Sequence, residues 1–195
     1  MLTLDQQDVL KELFNRGIGR ASQILSEMTR RTIVLSVPRI VEGRGVLVSH
    51  SGKERIYGVH QVFSGLYHGS IYLFYTHQSC MELIASILNL DETPEIFGEL
   101  EKDVLCEFGN IIITSCLIEL DILFNAKLLT TPPKIVSSQD KNFTKYTQNE
   151  QENISLSMDF SIEGSPVIGE IAFTIDSQNR TILADKLTEY FNSFA

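Results

Sequence analysis

The sequence predicts an α+β fold in which two helix–strands–helix units, related by a pseudo-twofold axis, share a largely antiparallel sheet packed by long helices. Two observations carry this reading. The first is a polar pattern that occurs twice: Asp8, Glu12, Asn15 and Pro38 are matched 95 residues later by Asp103, Glu107, Asn110 and Pro133. The second is that the same order of helical and strand-like patterns follows each copy. Four positions in register across such a distance mean two copies of one structural unit. The units span about 4–92 and 95–195 of a single domain.

The first unit opens with a helix over 4–29. Its residues Leu10, Leu13, Phe14, Ala21, Ile24, Leu25 and Met28 recur at the three-and-four spacing of one buried face. A β-branched run, 32–37, reads as a strand ended by Pro38. Further strands follow at 45–48, 55–62 and 70–75, separated by the turn signals SGK and SGLYHG. A shorter helix covers 78–88, and the Asp91-Glu92-Thr93-Pro94 connector closes the unit.

The second unit repeats the order: a helix over 94–124, then a short Leu128-Leu129-Thr130 stretch that leads to Pro132-Pro133. The polar stretch 137–152 reads as a loop, 154–162 and 169–175 as strands, and 180–191 as the closing helix. Gly69-Ser70-Ile71 aligns with Gly169-Glu170-Ile171 at an offset of 100. The second unit therefore holds about five extra residues, placed most simply in the polar loop.

Composition narrows the functional classes. The net charge of −9 is opposite to what a phosphate-binding surface needs, so no nucleic-acid partner is expected. No apolar run reaches the roughly 18 residues of a membrane span, and the N-terminus lacks a signal-peptide pattern. The chain reads as cytoplasmic and globular, without a membrane partner. Cys80, Cys106 and Cys116 have no metal-ligand spacing, and Cys106 and Cys116 fall within an apolar helical pattern as buried free thiols. His50, His60, His68 and His77 are scattered, so no metal site is expected from them.

On a helix, positions i, i+4 and i+7 share a face. Asp8, Glu12 and Asn15 thus form one polar stripe, nearly opposite Leu10, Leu13, Gly17, Ala21 and Ile24. Asp103, Glu107 and Asn110 likewise lie opposite Leu105, Ile112, Cys116 and Leu123. A single Glu-x2-Asn is the ordinary outer face of an amphipathic helix. A mid-helix Asn is a weak helix former, and its recurrence points to a further role.

The repeated pattern resembles the signature of the CheC/CheX/FliY phosphatases of chemotaxis: Asp or Ser, x3, Glu, x2, Asn, about x22, Pro. LKELFNRGIG and LCEFGNIII resemble the family's LKEIGNIGAG and LREIGNIM. The two-unit layout is closest to that of CheC. The resemblance implies hydrolysis of the phospho-aspartate of a CheY-like receiver. Asn15 and Asn110 would orient the attacking water, and Glu12 and Glu107 would contact the receiver's active-site lysine. Asp8, Asp103, Pro38 and Pro133 would support the motif. The chain would need no cofactor of its own, since Mg2+ comes with the receiver. CheD is a possible second partner; a monomer would suffice, and a dimer is possible.

The chain departs from the family pattern at two places. Phe14 replaces the Gly that usually precedes the motif Asn, and Arg16 follows it where an apolar residue is common. The second copy keeps Gly109-Asn110-Ile111, so Glu107 and Asn110 are the first expectation for activity. The alternative is a non-catalytic module that docks a receiver or CheD in the chemotaxis or flagellar-switch system.

Overall fold

Helix α1 (Leu4–Thr29) begins where Thr3 can cap it: the Gln6 amide donates to Thr3 Oγ1, and the Thr3 amide donates to the Gln6 side chain. The computed structural model describes residues 2–36, 38–44, 55–141, 143, 152–165, 167–176 and 179–193. Strands β1 (Ile33–Leu35), β2 (Arg39–Arg44), β3 (Ile56–Ser64) and β4 (Gly69–Thr76) follow, then helix α2 (His77–Leu88). The second half contains α3 (Glu99–Phe124), β5 (Leu129–Thr130), β6 (Lys134–Ser137), β7 (Glu152–Ile162), β8 (Ile168–Asp176) and α4 (Arg180–Asn192).

Most expected elements are present, with differences that have local causes. Helix α3 starts at Glu99 rather than 94, because Glu101 reaches back to accept from the Gly98 amide and caps the helix there. Strands β2 and β6 had no expectation; the expected strand at 45–48 and most of the polar loop lie outside the described residues. Ile24, expected on the buried stripe of α1, is 40% exposed. Ile18 is buried instead, one turn from Phe14. Cys116 is a buried free thiol as expected, whereas Cys106 is only half-buried; Cys80, for which burial was not expected, is buried as well.

The sheet runs β1–β7–β8–β4–β3–β5, with β2 also pairing β7 and β6 also pairing β3, every contact antiparallel. The order is symmetric about the β8–β4 seam, and the first strands are exchanged. Strands β1 and β2 pair with β7 of the other half, while β5 and β6 pair with β3. Arg39 faces Ser157 as Lys134 faces His60, so His60 corresponds to Ser157 at an offset of 97. Phe63 pairs with Gly69 and Phe160 with Gly169, which moves the offset from 97 to 100 across the hairpin. The extra residues are therefore split: two lie before β7 and three in the β7–β8 connection, not all in the polar loop.

Helices α1, α2, α3 and α4 cover one face of the sheet. Leu10, Leu83, Leu120 and Leu187, one from each helix, share a core with Val59, Leu73, Leu156 and Phe173. The opposite face has a smaller cluster of Ile56, Tyr72, Phe74, Val136 and Ala172. The long helices α1 and α3 also pack on each other. A Cβ on Gly17 would lie 2.8 Å from Cys116 Cα and from the Ser115 carbonyl oxygen, so only glycine permits this crossing.

Candidate functional site

Both motif helices turn their polar stripes away from the core. Asp8, Glu12, Asn15, Asp103 and Glu107 are exposed, and Asn110 is half-buried. Leu10, Leu13, Leu105, Ile112 and Cys116 are buried on the opposite faces, as the spacing requires. Asp8 pairs with Lys11 at 3.2 Å. Glu12 and Glu107 have no ion pair among the described residues, so each carboxylate is available to a cation from outside.

The motif prolines stand in strand breaks. Leu35 pairs with Phe160 and Arg39 with Ser157, a step of four positions on one strand against three on the other. Thr130 pairs with Phe63 and Lys134 with His60, so 131–133 face only 61–62. Each break is a β-bulge with one extra residue, a place where proline's missing N–H costs no ladder bond. The two bulges are clasped alike. The Ser36 amide donates to the Asp159 carbonyl, and Ser36 Oγ accepts from the Asp159 amide. Thr131 makes the same two bonds with Val62, at 2.9 and 3.1 Å.

Beyond the clasp the two sites differ. Beside Val62 stands Gln61, 2% exposed on the helix-facing side of β3. Its Nε2 donates to the Thr131 carbonyl at 2.9 Å and to Asn110 Oδ1 at 3.3 Å. The corresponding residue beside Asp159 is Met158, fully buried and unable to donate. The register agrees, since Gln61 pairs with Ile71 and Met158 with Ile171.

The departures read in the sequence fit this asymmetry. A Cβ on Gly109 would lie 2.9 Å from Val59 Cβ, so α3 rests directly on β3 there. At the matching position of α1, the buried Phe14 ring packs edge-on against Phe173, with centroids 4.8 Å apart. A ring thus fills the space between helix and sheet at the first site. Arg16 is drawn across to α3. Glu119, 1% exposed, has Arg20 Nη2 2.8 Å from Oε1 and Arg16 Nη2 3.1 Å from Oε2. The Arg20 contact is a hydrogen bond. The Arg16 contact is a close ion pair without hydrogen-bond alignment. Arg16 Nη1 also donates to the Tyr190 hydroxyl at 2.9 Å. Arg16 lies one turn from Glu12 and would otherwise be its natural i,i+4 partner; Glu119 keeps the two apart.

A groove of about 650 Å³ opens beside the first site between α1 and α4, lined by Asp5, Asp8, Val9, Glu12, Arg16, Tyr190 and Phe191. Among the described residues, no group of three or more His, Cys, Asp or Glu is placed to hold a metal ion. No helix is long and apolar enough to cross a membrane, again among the described residues. Burial pushes the Cys80 thiol up to about 12; burial, helped by Glu119, does the same to Cys116. Neither is a thiolate nucleophile near neutral pH.

No family model matches the chain. Its α+β architecture, with a symmetric antiparallel sheet under two long helices, is the fold of FliY, of the FliM middle domain, of CheC-like superfamily proteins and of the chemotaxis protein CheX. The chain is similar to Thermotoga maritima FliY, with 21% identity and a TM-score of 0.74 over 99% of this chain and 98% of that one. The FliM middle domain of H. pylori gives 10% identity and a TM-score of 0.70 over 95% and 99% of the two chains. A CheC-like superfamily protein from Shewanella gives 14% and 0.59 over 90% and 100%.

Proposed function

We propose that this protein hydrolyses the phospho-aspartate of a CheY-like chemotaxis receiver, with one site on α1 and one on α3. The observation that supports this best is the repeated presentation, on the outer face of each long helix, of a neighbouring Asn and a Glu with no ion pair among the described residues. An acyl phosphate needs little chemical activation; a water held in line with the P–O bond is the missing part. The water oxygen bonds to phosphorus as the aspartyl oxygen leaves, giving the receiver's free carboxylate and inorganic phosphate. The Asn amide can both accept from and donate to that water. Glu12 or Glu107 pairs with the receiver's active-site lysine and fixes the approach. Mg2+ is part of the substrate and neutralises the phosphoryl oxygens.

The test is phosphate release from a Mg2+-loaded, phosphorylated CheY-type receiver. Asn15→Ala combined with Asn110→Ala should return release to the receiver's own rate with only a small fall in Tm, since Asn15 is exposed and Asn110 gives up one hydrogen bond from Gln61. Stimulated release that persists in the double variant rules out the amide-held water. A docking role is the second reading. It is favoured by the FliM fold likeness, since FliM from H. pylori is also found in a complex with SpeE, and by the groove beside Glu12. CheD or an unphosphorylated receiver would be the partner to titrate if release is not stimulated.

A further inference from the structure

We infer that Gln61 is a positioning residue of the second site: it holds Asn110 in one amide orientation, against the bulge that Pro133 occupies. The inference rests on the phosphatase reading for its consequence, but not for its geometry. A backbone carbonyl can only accept, so the Thr131 carbonyl obliges Gln61 to turn its NH2 toward it. The second hydrogen of that NH2 points at Asn110, which must answer with Oδ1. The orientation of Asn110 is thereby set through Gln61 by the main chain. One lone pair of Oδ1 and both Nδ2 hydrogens remain for a water.

The bulge matters because it leaves the Thr131 carbonyl outside the strand ladder, free to accept Gln61. Gly109 matters because any larger residue would lift α3 from Val59 and carry Asn110 out of reach. Gln61 is not there for stability: its Oε1 is buried with no hydrogen-bond donor among the described residues, which a folded core resists. The other half shows that the fold accepts an apolar residue at this place, since Met158 fills it. The first site thus has neither a Gln at this position nor the glycine, and Asn15 is exposed.

The experiment is Gln61→Met, which copies Met158, made in an Asn15→Ala background so that only the second site reports. Four quantities are measured: kcat and KM for the phosphorylated receiver, Tm, and the side-chain amide resonances of Asn110. Positioning predicts kcat lower by about tenfold or more, KM and Tm not worsened, and shifted Asn110 amide resonances. Gln61→Leu, which can neither accept nor donate, should fail in the same way. A merely structural role predicts the opposite signature, with Tm lowered and kcat and KM impaired together, and overturns the inference. Unchanged kcat with unchanged Asn110 resonances also overturns it. If the parent protein does not stimulate release at all, the phosphatase reading fails on that measurement. The amide resonances then decide the hold on Asn110: a shift on Gln61→Met sustains it, and no shift overturns it.

Discussion

His60 precedes Gln61 on β3 and faces the other side of the sheet, where its ring stacks on Tyr72 with centroids 4.6 Å apart. Burial, and then the nearby Lys134, lower its pKa from 6.5 to about 4. Between those values the unfolded chain binds a proton that the folded protein refuses. Stability is therefore full above pH 6.5 and falls as pH drops toward 4, by ~2 kcal/mol after allowing for solvent screening. Urea midpoints between pH 7 and pH 4 should show this fall, and His60→Phe, which preserves the stack, should remove part of it. An equal slope in the variant would assign the acid sensitivity to other groups. At this scale the sequence was only partly legible. Glu12, Asn15, Glu107 and Asn110 announce themselves because polar residues recur at one offset. Gln61 does not, because its counterpart Met158 is apolar and the local strand pattern assigns it no role. A careful alignment of the two halves at the offset of 97, rather than 95, would have exposed that mismatch.

At the scale of elements, α1 and α3 are joined by small residues at the Gly17 crossing and by the cluster of Arg16, Arg20 and Glu119. The charges are unequally exposed: Glu119 is buried, while both arginine side chains are a little under half exposed. Removing the two sides of the cluster should therefore have unequal effects. Glu119→Gln leaves two arginines that can turn to water and should cost about 1 kcal/mol. Arg16→Ala with Arg20→Ala strands a buried carboxylate and should cost about 3–5 kcal/mol. Equilibrium urea unfolding compares the two; equal losses would mean that water reaches Glu119 more freely than its burial implies. The helices themselves were easy to read, because a three-and-four apolar period survives any tertiary context. Ile24 marks the limit of that reading: it lies at the edge of the stripe, where neighbours rather than periodicity decide exposure. Strand β2 was missed for a related reason, since Arg39, Glu42, Gly43 and Arg44 lack the apolar alternation that marks a half-buried strand.

At the scale of the whole molecule, the exchanged strands tie the halves together. Among the described residues, strands β1 and β2 have no sheet partner in their own half, and neither do β5 and β6. Residues 1–92 and 95–195, produced separately, should each lack a cooperative unfolding transition, because each would expose unpaired strand edges and half a core. Mixing them should restore the transition, as read by circular dichroism and Tm. A cooperative monomeric fold of either piece alone would contradict this interdependence. The duplication was legible from the repeated motif, but the exchange was not. Sequence periodicity reports which residues want burial; it does not say which strand supplies the neighbour.

The same exchange has a historical consequence. Asn110 belongs to the second copy of the repeat, while Gln61, which holds it, belongs to the first. A substitution in one copy is thus expressed beside the motif of the other, and the two motif surfaces can diverge without any change to either signature. Heredity in this chain runs crosswise: each copy inherits its own Glu and Asn but borrows the floor beneath them from its sibling.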